Sequence, residues 1–166
     1  MVKSISFVGS TAVAKYIYAK GTANGKRVQA QGGAKNPVVV LPDADIEMTS
    51  QIITDSVFGC AGQRCLAASV VITVEENSKI KESLYEAAKA RTVGYGMSKG
   101  IDMGPVISNE SKVRIESLID QGVSEGASVV LDGRNKKING FETGNFVSTT
   151  IIEDLSLSGE LIKTEI

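Results

Sequence analysis

The chain has 166 residues, of which 42% are hydrophobic, and its formal net charge is −1. This size and composition fit one globular domain with a hydrophobic core, or a part of a larger protein. The balanced charge disfavours nucleic acid and anionic membranes as partners, and no apolar run approaches the roughly 18 residues of a membrane span. Since the first residues carry one lysine and no small-residue cleavage site, we expect no signal peptide and a reducing, cytoplasmic location.

The absence of histidine narrows the chemistry further. It excludes Ser-His-Asp and Cys-His catalysis, His-ligated zinc and a histidine general base. The two cysteines, Cys60 and Cys65, have the spacing C-x4-C rather than the C-x-x-C of redox motifs. They cannot complete a four-ligand zinc site unless carboxylates or another chain supply the rest, so we expect no metal.

The first half of the chain predicts strands that alternate with helices. "KSISFVGST" predicts a strand and a tight turn, and "AVAKYIYAKG" predicts a helix that ends near Gly21. "KRVQAQGG" predicts a short strand that a glycine pair interrupts, and "NPVVVLPDAD" predicts a buried strand. Asp43 or Asp45 then caps a helix whose apolar stripe ends at Cys60, seven residues after Ile53.

The second half continues this alternation. "AASVVITVEEN" predicts a strand, and "SKIKESLYEAAKARTV" predicts a helix. "SNESKVRIESLIDQG" predicts a further helix, capped by Ser108 or Asn109 and ending at Gly122. "ASVVLDG" and "NFVSTTIIE" predict the last strands. The pattern indicates an α/β fold with a largely parallel sheet.

The two cysteines lie in different predicted settings. Cys60 belongs to the helical stripe, which favours a small buried hydrophobic residue. Cys65 follows a glycine-punctuated segment and precedes a strand, so a loop can present it to solvent. The neighbouring Arg64 has a fixed positive charge that favours a thiolate if the side chains come close. This position indicates a nucleophile, with an ordinary buried cysteine as the alternative.

Five segments, in order and with matching spacing, resemble the aldehyde dehydrogenase superfamily. "FGCAGQRC" resembles its Gly-Gln-x-Cys active-site segment, and the other four are "FVGS", "QGGAKNP", "DMGPVIS" and "NFVSTTII", with the closing "TEI" resembling the start of one more. The resemblance implies a fragment of an aldehyde-dehydrogenase-like catalytic domain with a three-layer αβα arrangement. Residues 1–25 would be the last strand-helix unit of the NAD-binding domain, and residues 26–166 part of the catalytic domain.

The resemblance is closest to the CoA-acylating methylmalonate-semialdehyde dehydrogenase branch. Ordinary members of the family have a glutamate general base where this chain has Gln31, and that branch also lacks it. The resemblance therefore implies NAD as cofactor, coenzyme A as co-substrate and a semialdehyde as substrate. The alternatives are an acid-forming aldehyde dehydrogenase and a catalytically silent truncated α/β module.

The resemblance also assigns site residues. It makes Cys65 the nucleophile, and it implies that NAD is bound by Gly9, Ser10, Gly32 and Glu165. Arg64 would contact a substrate carboxylate, with a structural ion pair as the alternative. A plain turn is the alternative for the Gly9–Ser10 pair, and a solvated terminus is the alternative for Glu165.

The resemblance implies that most of the cofactor-binding sheet lies outside this chain. We therefore expect weak NAD binding by the isolated chain, and exposed strand edges and helix faces that favour self-association. The helix "AVAKYIYAKG" is the clearest case because it has many apolar side chains. These are Val13, Tyr16, Ile17 and Tyr18. We expect a homo-oligomer with this helix buried between copies.

Overall fold

A computed structural model describes residues 2–166. The elements are β1 (Ser4–Val8), α1 (Thr11–Ala23), β2 (Arg27–Gln31), β3 (Asn36–Val40), α2 (Ile46–Phe58), a 3₁₀ turn (Gly59–Gly62), β4 (Ala68–Thr73), α3 (Ser78–Lys89), α4 (Asn109–Ser124), β5 (Ser128–Leu131), β6 (Ile151–Glu153) and α5 (Glu160–Lys163). This order of helices and strands confirms the predicted α/β class. The chain divides into two compact units, residues 1–34 and 35–166.

The first unit is a βαβ unit in which β1 and β2 pair in parallel and α1 connects them. Helix α1 continues past Gly21, the predicted end, to Ala23. A Cβ atom at Gly21 would lie 2.5 Å from a methyl carbon of Val28, so this glycine allows close packing of helix on strand. The chain reverses at Gly25, whose φ of 66° suits glycine.

The second unit has its main core between one parallel strand pair and two helices. β3 pairs with β4, and Val40, Ile53 and Ile80 from β3, α2 and α3 form the buried cluster. Half-buried side chains extend this cluster; they are Val38, Ala44, Ile46, Val57, Val71 and Leu84. The core therefore fixes α2 against the strands. Helix α2 leads directly into the segment that carries Cys60 and Cys65, called the cysteine segment below.

In the rest of the second unit, α4 packs against α5. Gly122, predicted to end this helix, lies inside it, and a Cβ there would be 2.5 Å from a methyl carbon of Leu161 in α5. β5 and β6 pair antiparallel. The strand predicted at 145–153 forms only from Ile151, because the backbone before it bonds elsewhere: the N–H of Ser148 donates to the carbonyl of Gly133 at 2.8 Å.

The strand pairing refines the predicted sheet. The named strands form three separate two-stranded pairs, two parallel and one antiparallel. The compact units divide after Ala34, beyond the strand that pairs with β1. The assignment of residues 1–25 and 26–166 to two domains of a larger protein stays a prediction. Within residues 2–166, every helix is too short or too polar to cross a bilayer.

Candidate functional site

Helix α2 lies directly before the cysteine segment, and both of its ends are defined by local backbone features. It begins where the Asp45 carboxylate accepts a hydrogen bond from the N–H of Met48 at 2.8 Å, which selects Asp45 between the two predicted caps. It ends at Phe58, because the backbone turns left-handed at Cys60 and Ala61, with φ values of 52° and 54°. The segment that follows is therefore a loop, as its glycines predicted.

The prediction that Cys60 is a buried core residue is wrong. Cys60 is exposed. The seven-residue spacing from Ile53 placed it on the apolar stripe only if the helix continued, and the left-handed turn removes it from that face. Its carbonyl oxygen accepts hydrogen bonds from the backbone N–H and the side-chain amide of Gln63, both at 3.1 Å.

Cys65 lies in the loop, exposed and with its backbone held. Among residues 2–166 both cysteines are free thiols. The N–H of Ala67 donates to the carbonyl of Arg64 at 3.0 Å, which closes a turn around Cys65. The side-chain amide of Asn36 donates to the carbonyls of Cys65 and Ala67, each at 2.9 Å. An accessible thiol on an anchored backbone is what a nucleophile requires.

The guanidinium of Arg64 binds the end of α2. One of its nitrogens donates to the carbonyl oxygens of Asp55 and Ser56, at 2.9 and 2.8 Å. The last four carbonyls of a helix lack intrahelical partners, and a cation there also complements the helix dipole. A Cβ at Gly59 would lie 2.2 Å from this guanidinium nitrogen, so the glycine leaves it room. These contacts give Arg64 a structural role; its contact with a substrate carboxylate stays a prediction.

Gln63 joins the cysteine loop to the segment before α4. Its side-chain carbonyl accepts a hydrogen bond from the N–H of Ile107 at 2.9 Å, while its amide nitrogen donates to Cys60. Gln63 has no role predicted from the sequence, although it belongs to the segment "GQRC". The bond spans 44 positions, so nothing local in the sequence indicates it.

Lys35 and Arg114 hold the last residues of the chain by their backbone. The ammonium of Lys35 donates to the carbonyl of Thr164 at 2.9 Å, and the guanidinium of Arg114 donates to the carbonyl of Glu165 at 2.8 Å. Burial lowers the pKa of Lys35, and the charge of Glu165 offsets part of that shift. Glu165 itself is exposed. Its assignment to a cofactor ribose stays a prediction, with its position now defined.

In the first unit, three of the predicted cofactor-binding residues lie together. Gly9 and Ser10 follow β1 and precede α1, and the N–H of Gly9 donates to the carbonyl of Gln31 at 3.1 Å. A Cβ at Gly32 would lie 2.7 Å from the hydroxyl of Thr11, so glycine is needed for this approach. The cluster occupies the carboxyl ends of two parallel strands, where α/β proteins bind ligands. Glu165 belongs to the other unit.

This corner fits a phosphate-bearing ligand. Within the described chain, the hydroxyl of the N-cap residue Ser10 makes no capping bond, and the first turn of α1 has no acidic residue. Free N–H groups and the helix dipole favour an anion at such a position. A cleft of ≈ 290 Å³ adjoins it, lined by Thr11, Ala14, Lys15, Tyr18, Ala30 and Gly32. The start of α1 therefore suits an anionic group such as a phosphate.

The acidic and sulfur side chains do not form a metal centre in the described structure. Across residues 2–166, no three of the cysteine, aspartate and glutamate side chains are grouped so that they could hold an ion.

Curated relatives match almost the whole chain. It is 48% identical over 165 residues to the methylmalonate-semialdehyde/malonate-semialdehyde dehydrogenase [acylating], mitochondrial, of Rattus norvegicus, covering 99% of this chain and 31% of that protein. It is 44% identical to the methylmalonate-semialdehyde dehydrogenase [acylating], mitochondrial, of Arabidopsis thaliana, covering 99% of this chain and 27% of that protein. The chain thus spans about a third of the length of the curated relatives it matches.

Solved structures share the fold. The methylmalonate-semialdehyde dehydrogenase of Oceanimonas doudoroffii matches with a TM-score of 0.94 and 37% identity, over 99% of this chain and 34% of that one. The betaine aldehyde dehydrogenase of Staphylococcus aureus in complex with NAD+ matches with a TM-score of 0.92 and 28% identity, over 99% of this chain and 33% of that one. The model of the aldehyde dehydrogenase family matches residues 1–166. The chain belongs to the aldehyde dehydrogenase family.

Proposed function

We propose that the chain is the nucleophile-bearing part of an NAD-dependent, CoA-acylating semialdehyde dehydrogenase that acts on malonate or methylmalonate semialdehyde. The observation that carries the proposal is Cys65, exposed in a loop whose backbone is tied to Asn36. The acylating dehydrogenases among the relatives support the reaction type.

The proposed reaction begins with the thiolate of Cys65. Its sulfur attacks the aldehyde carbon, the carbonyl electrons move to oxygen, and a thiohemiacetal forms. NAD, when bound, would supply the hydride acceptor needed to turn this adduct on Cys65 into a thioester. The thiol of coenzyme A then attacks the thioester carbon and Cys65 leaves as a thiolate, which restores the free site. With methylmalonate semialdehyde, the bond between the carboxylate carbon and the α-carbon also breaks, carbon dioxide departs, and the electron pair left on the α-carbon takes up a proton.

Gln31 decides between water and thiol as the acceptor. It stands where acid-forming members of the family have a glutamate base, and an amide cannot remove a proton from water. A thiol needs less help, because its ordinary pKa of about 8.5 leaves part of it ionised at neutral pH. We therefore propose acyl-CoA rather than free acid as the product.

The cofactor would be held at the start of α1. Ser10 offers its backbone N–H and its hydroxyl to the phosphates, Gly9 forms the turn before it, and Gly32 leaves room for the close approach of the cofactor. We propose that Glu165 contacts a ribose hydroxyl. The NAD+ bound by the related betaine aldehyde dehydrogenase supports the choice of cofactor. Arg64 remains our proposed contact for the substrate carboxylate, through donors that α2 leaves free.

An activated ester tests the cysteine chemistry without NAD. p-Nitrophenyl acetate should acylate Cys65 and release about one nitrophenolate per chain, after which the reaction should stall in water and resume when coenzyme A is added. Mass spectrometry should find acetyl-CoA, and Cys65→Ser should abolish the burst. Continued hydrolysis without coenzyme A would favour the acid-forming alternative, and no burst at all would favour the silent module.

We also propose that the protein is a homo-oligomer through α1. Val13, Tyr16 and Tyr18 on this helix are 44%, 66% and 54% exposed, and Ile17 is half-buried. Large apolar side chains clustered on one exposed helix favour association. The partners would be copies of this chain and the small semialdehyde, with neither nucleic acid nor membrane.

For the compartment we propose the cytoplasm, because two exposed free thiols suit a reducing environment. Fractionation of cells and immunodetection of the chain would test this. The chain in a mitochondrial fraction, as in the names of the curated relatives, would contradict it.

A further inference from the structure

We propose that Asn36 is a positioning residue for Cys65: its side-chain amide fixes the backbone of the nucleophile loop. The inference rests on the proposed role of Cys65 as nucleophile. It concerns a residue 29 positions earlier in the chain, at the start of β3.

The amide nitrogen of Asn36 uses both of its hydrogens on the loop. It donates to the carbonyl oxygens of Cys65 and Ala67, each at 2.9 Å. The N–H of Ala67 closes the turn onto the carbonyl of Arg64. The carbonyl of the nucleophile and the residue two positions later are therefore held by one planar group, which limits rotation of the peptide units that carry the thiol.

Asn36 is itself held in place. Its N–H donates to the hydroxyl of Ser69 at 3.1 Å, and it pairs with Ala68 in β4. The register of this pair shifts between Asn36 and Pro37, a residue without an N–H to donate. Such irregularities re-aim a side chain, and here the side chain reaches the loop rather than following the strand pattern.

Only a neutral side chain with two donors on one atom makes both bonds. Aspartate has the same shape, but its carboxylate would place an acceptor against two carbonyl oxygens. Serine has a single donor on a shorter side chain. The carbonyl of the buried residue Ala67 would lose its donor, and the loop would move to expose that carbonyl to water.

The loop needs this support because the sequence before Cys65 places few intrinsic restraints on the backbone. Gly59 and Gly62 precede Cys65, and glycine leaves the backbone many conformations. Arg64 secures one side of the loop to α2, and Asn36 secures the other to β3. Attack on a carbonyl requires a defined approach of sulfur to carbon, so a loosened loop lowers the rate even when the thiol stays accessible.

The test compares Asn36→Asp and Asn36→Ser with wild type, using Asn139→Asp as the matched control on an exposed residue. Acylation by p-nitrophenyl acetate is followed at Cys65 and Cys60 in the same molecules by peptide mass mapping. We expect Asn36→Asp to lower the Cys65-to-Cys60 ratio at least tenfold and Asn36→Ser to lower it less. Global destabilisation would affect both cysteines, so the ratio isolates positioning.

Hydrogen exchange gives a second readout that does not depend on cysteine chemistry. The N–H of Ala67 is hydrogen-bonded within the turn and should exchange faster in both Asn36 variants than in wild type. In Asn139→Asp its exchange rate should equal that of wild type. An unchanged ratio together with unchanged exchange would overturn the role of Asn36. Equal acylation of Cys65 and Cys60 in wild type would overturn the proposed function instead, while exchange would still decide whether Asn36 holds the loop.

Discussion

Replacing Arg64 by methionine tests whether its guanidinium stabilises the loop that carries Cys65 or serves only to bind a substrate. Methionine keeps a long apolar stem and removes the charge. The change deletes the hydrogen bonds to the carbonyls of Asp55 and Ser56 at the end of α2. A role limited to substrate binding predicts no change in stability, whereas a structural role predicts a measurable loss.

The magnitude follows from the two bonds and the helix dipole. A hydrogen bond to a charged group contributes about 1.5–3 kcal/mol when water is excluded, and a cation at a helix C-terminus adds a few tenths or more. Arg64 is exposed, so water can replace the guanidinium at both carbonyls and reduces the loss. We expect a decrease of ~1–2 kcal/mol in the free energy of unfolding.

Urea unfolding monitored by circular dichroism measures this change. With a slope of ~2 kcal/mol per molar urea, the midpoint should fall by roughly 0.5–1 M. Arg27→Met, on an exposed strand position, is the control and should shift the midpoint little. Arg64→Lys keeps the positive charge but loses the planar guanidinium, so its urea midpoint should lie between those of wild type and Arg64→Met. A midpoint for Arg64→Met equal to the control would refute the structural role.

Three further substitutions test the packing, the pH dependence of stability and the assembly of the chain. They are at Gly133, Asp102 and Tyr16. A Cβ at Gly133 would lie 2.0 Å from the carbonyl oxygen of Ser148, so Gly133→Ala should lower stability by at least ~2 kcal/mol in urea; an unchanged midpoint would contradict the packing. Hydrogen bonds from the hydroxyl and N–H of Thr92 lower the pKa of Asp102, so its stabilisation is present above the ordinary value of 3.8 and lost as pH falls through the lowered one. Asp102→Asn should therefore flatten the acid-unfolding curve, and an identical curve would refute this. Tyr16→Asp should shift an assembled sample toward monomer in light scattering, and a wild-type monomer at tens of micromolar would exclude assembly through α1.

Sequence periodicity located most elements because local signals and burial agree in them. The side chains of Asp45 and Ser108 each accept a hydrogen bond from the N–H three residues later, as expected of helix caps. Periodicity placed helix ends less well at Gly21 and Gly122. Both glycines lie inside helices against a neighbouring side chain, which is a tertiary cause that no local pattern contains.

Within the candidate site, the sequence predicted the setting of Cys65 correctly and that of Cys60 incorrectly. The spacing from the helix stripe predicted burial of Cys60, but two left-handed residues end the helix before the stripe reaches it. Left-handed backbone at a non-glycine residue is uncommon, so the hydrophobic pattern did not predict that the helix ends before Cys60. The glycines and the following strand did indicate a loop at Cys65, and there the structure agrees.

The support of the cysteine loop comes from distant positions, and this explains which roles the sequence missed. Asn36 and Ile107 bond to the loop from 29 and 44 positions away, whereas Arg64 and Gln63 act from within it. The proposed nucleophile, Cys65, stands in a short motif in which a thiol, a glycine turn and a positive charge are adjacent. The residues that hold it are brought there by strand pairing and helix packing. A variant of Asn36 should therefore alter the reactivity of Cys65 as strongly as many changes inside the motif itself.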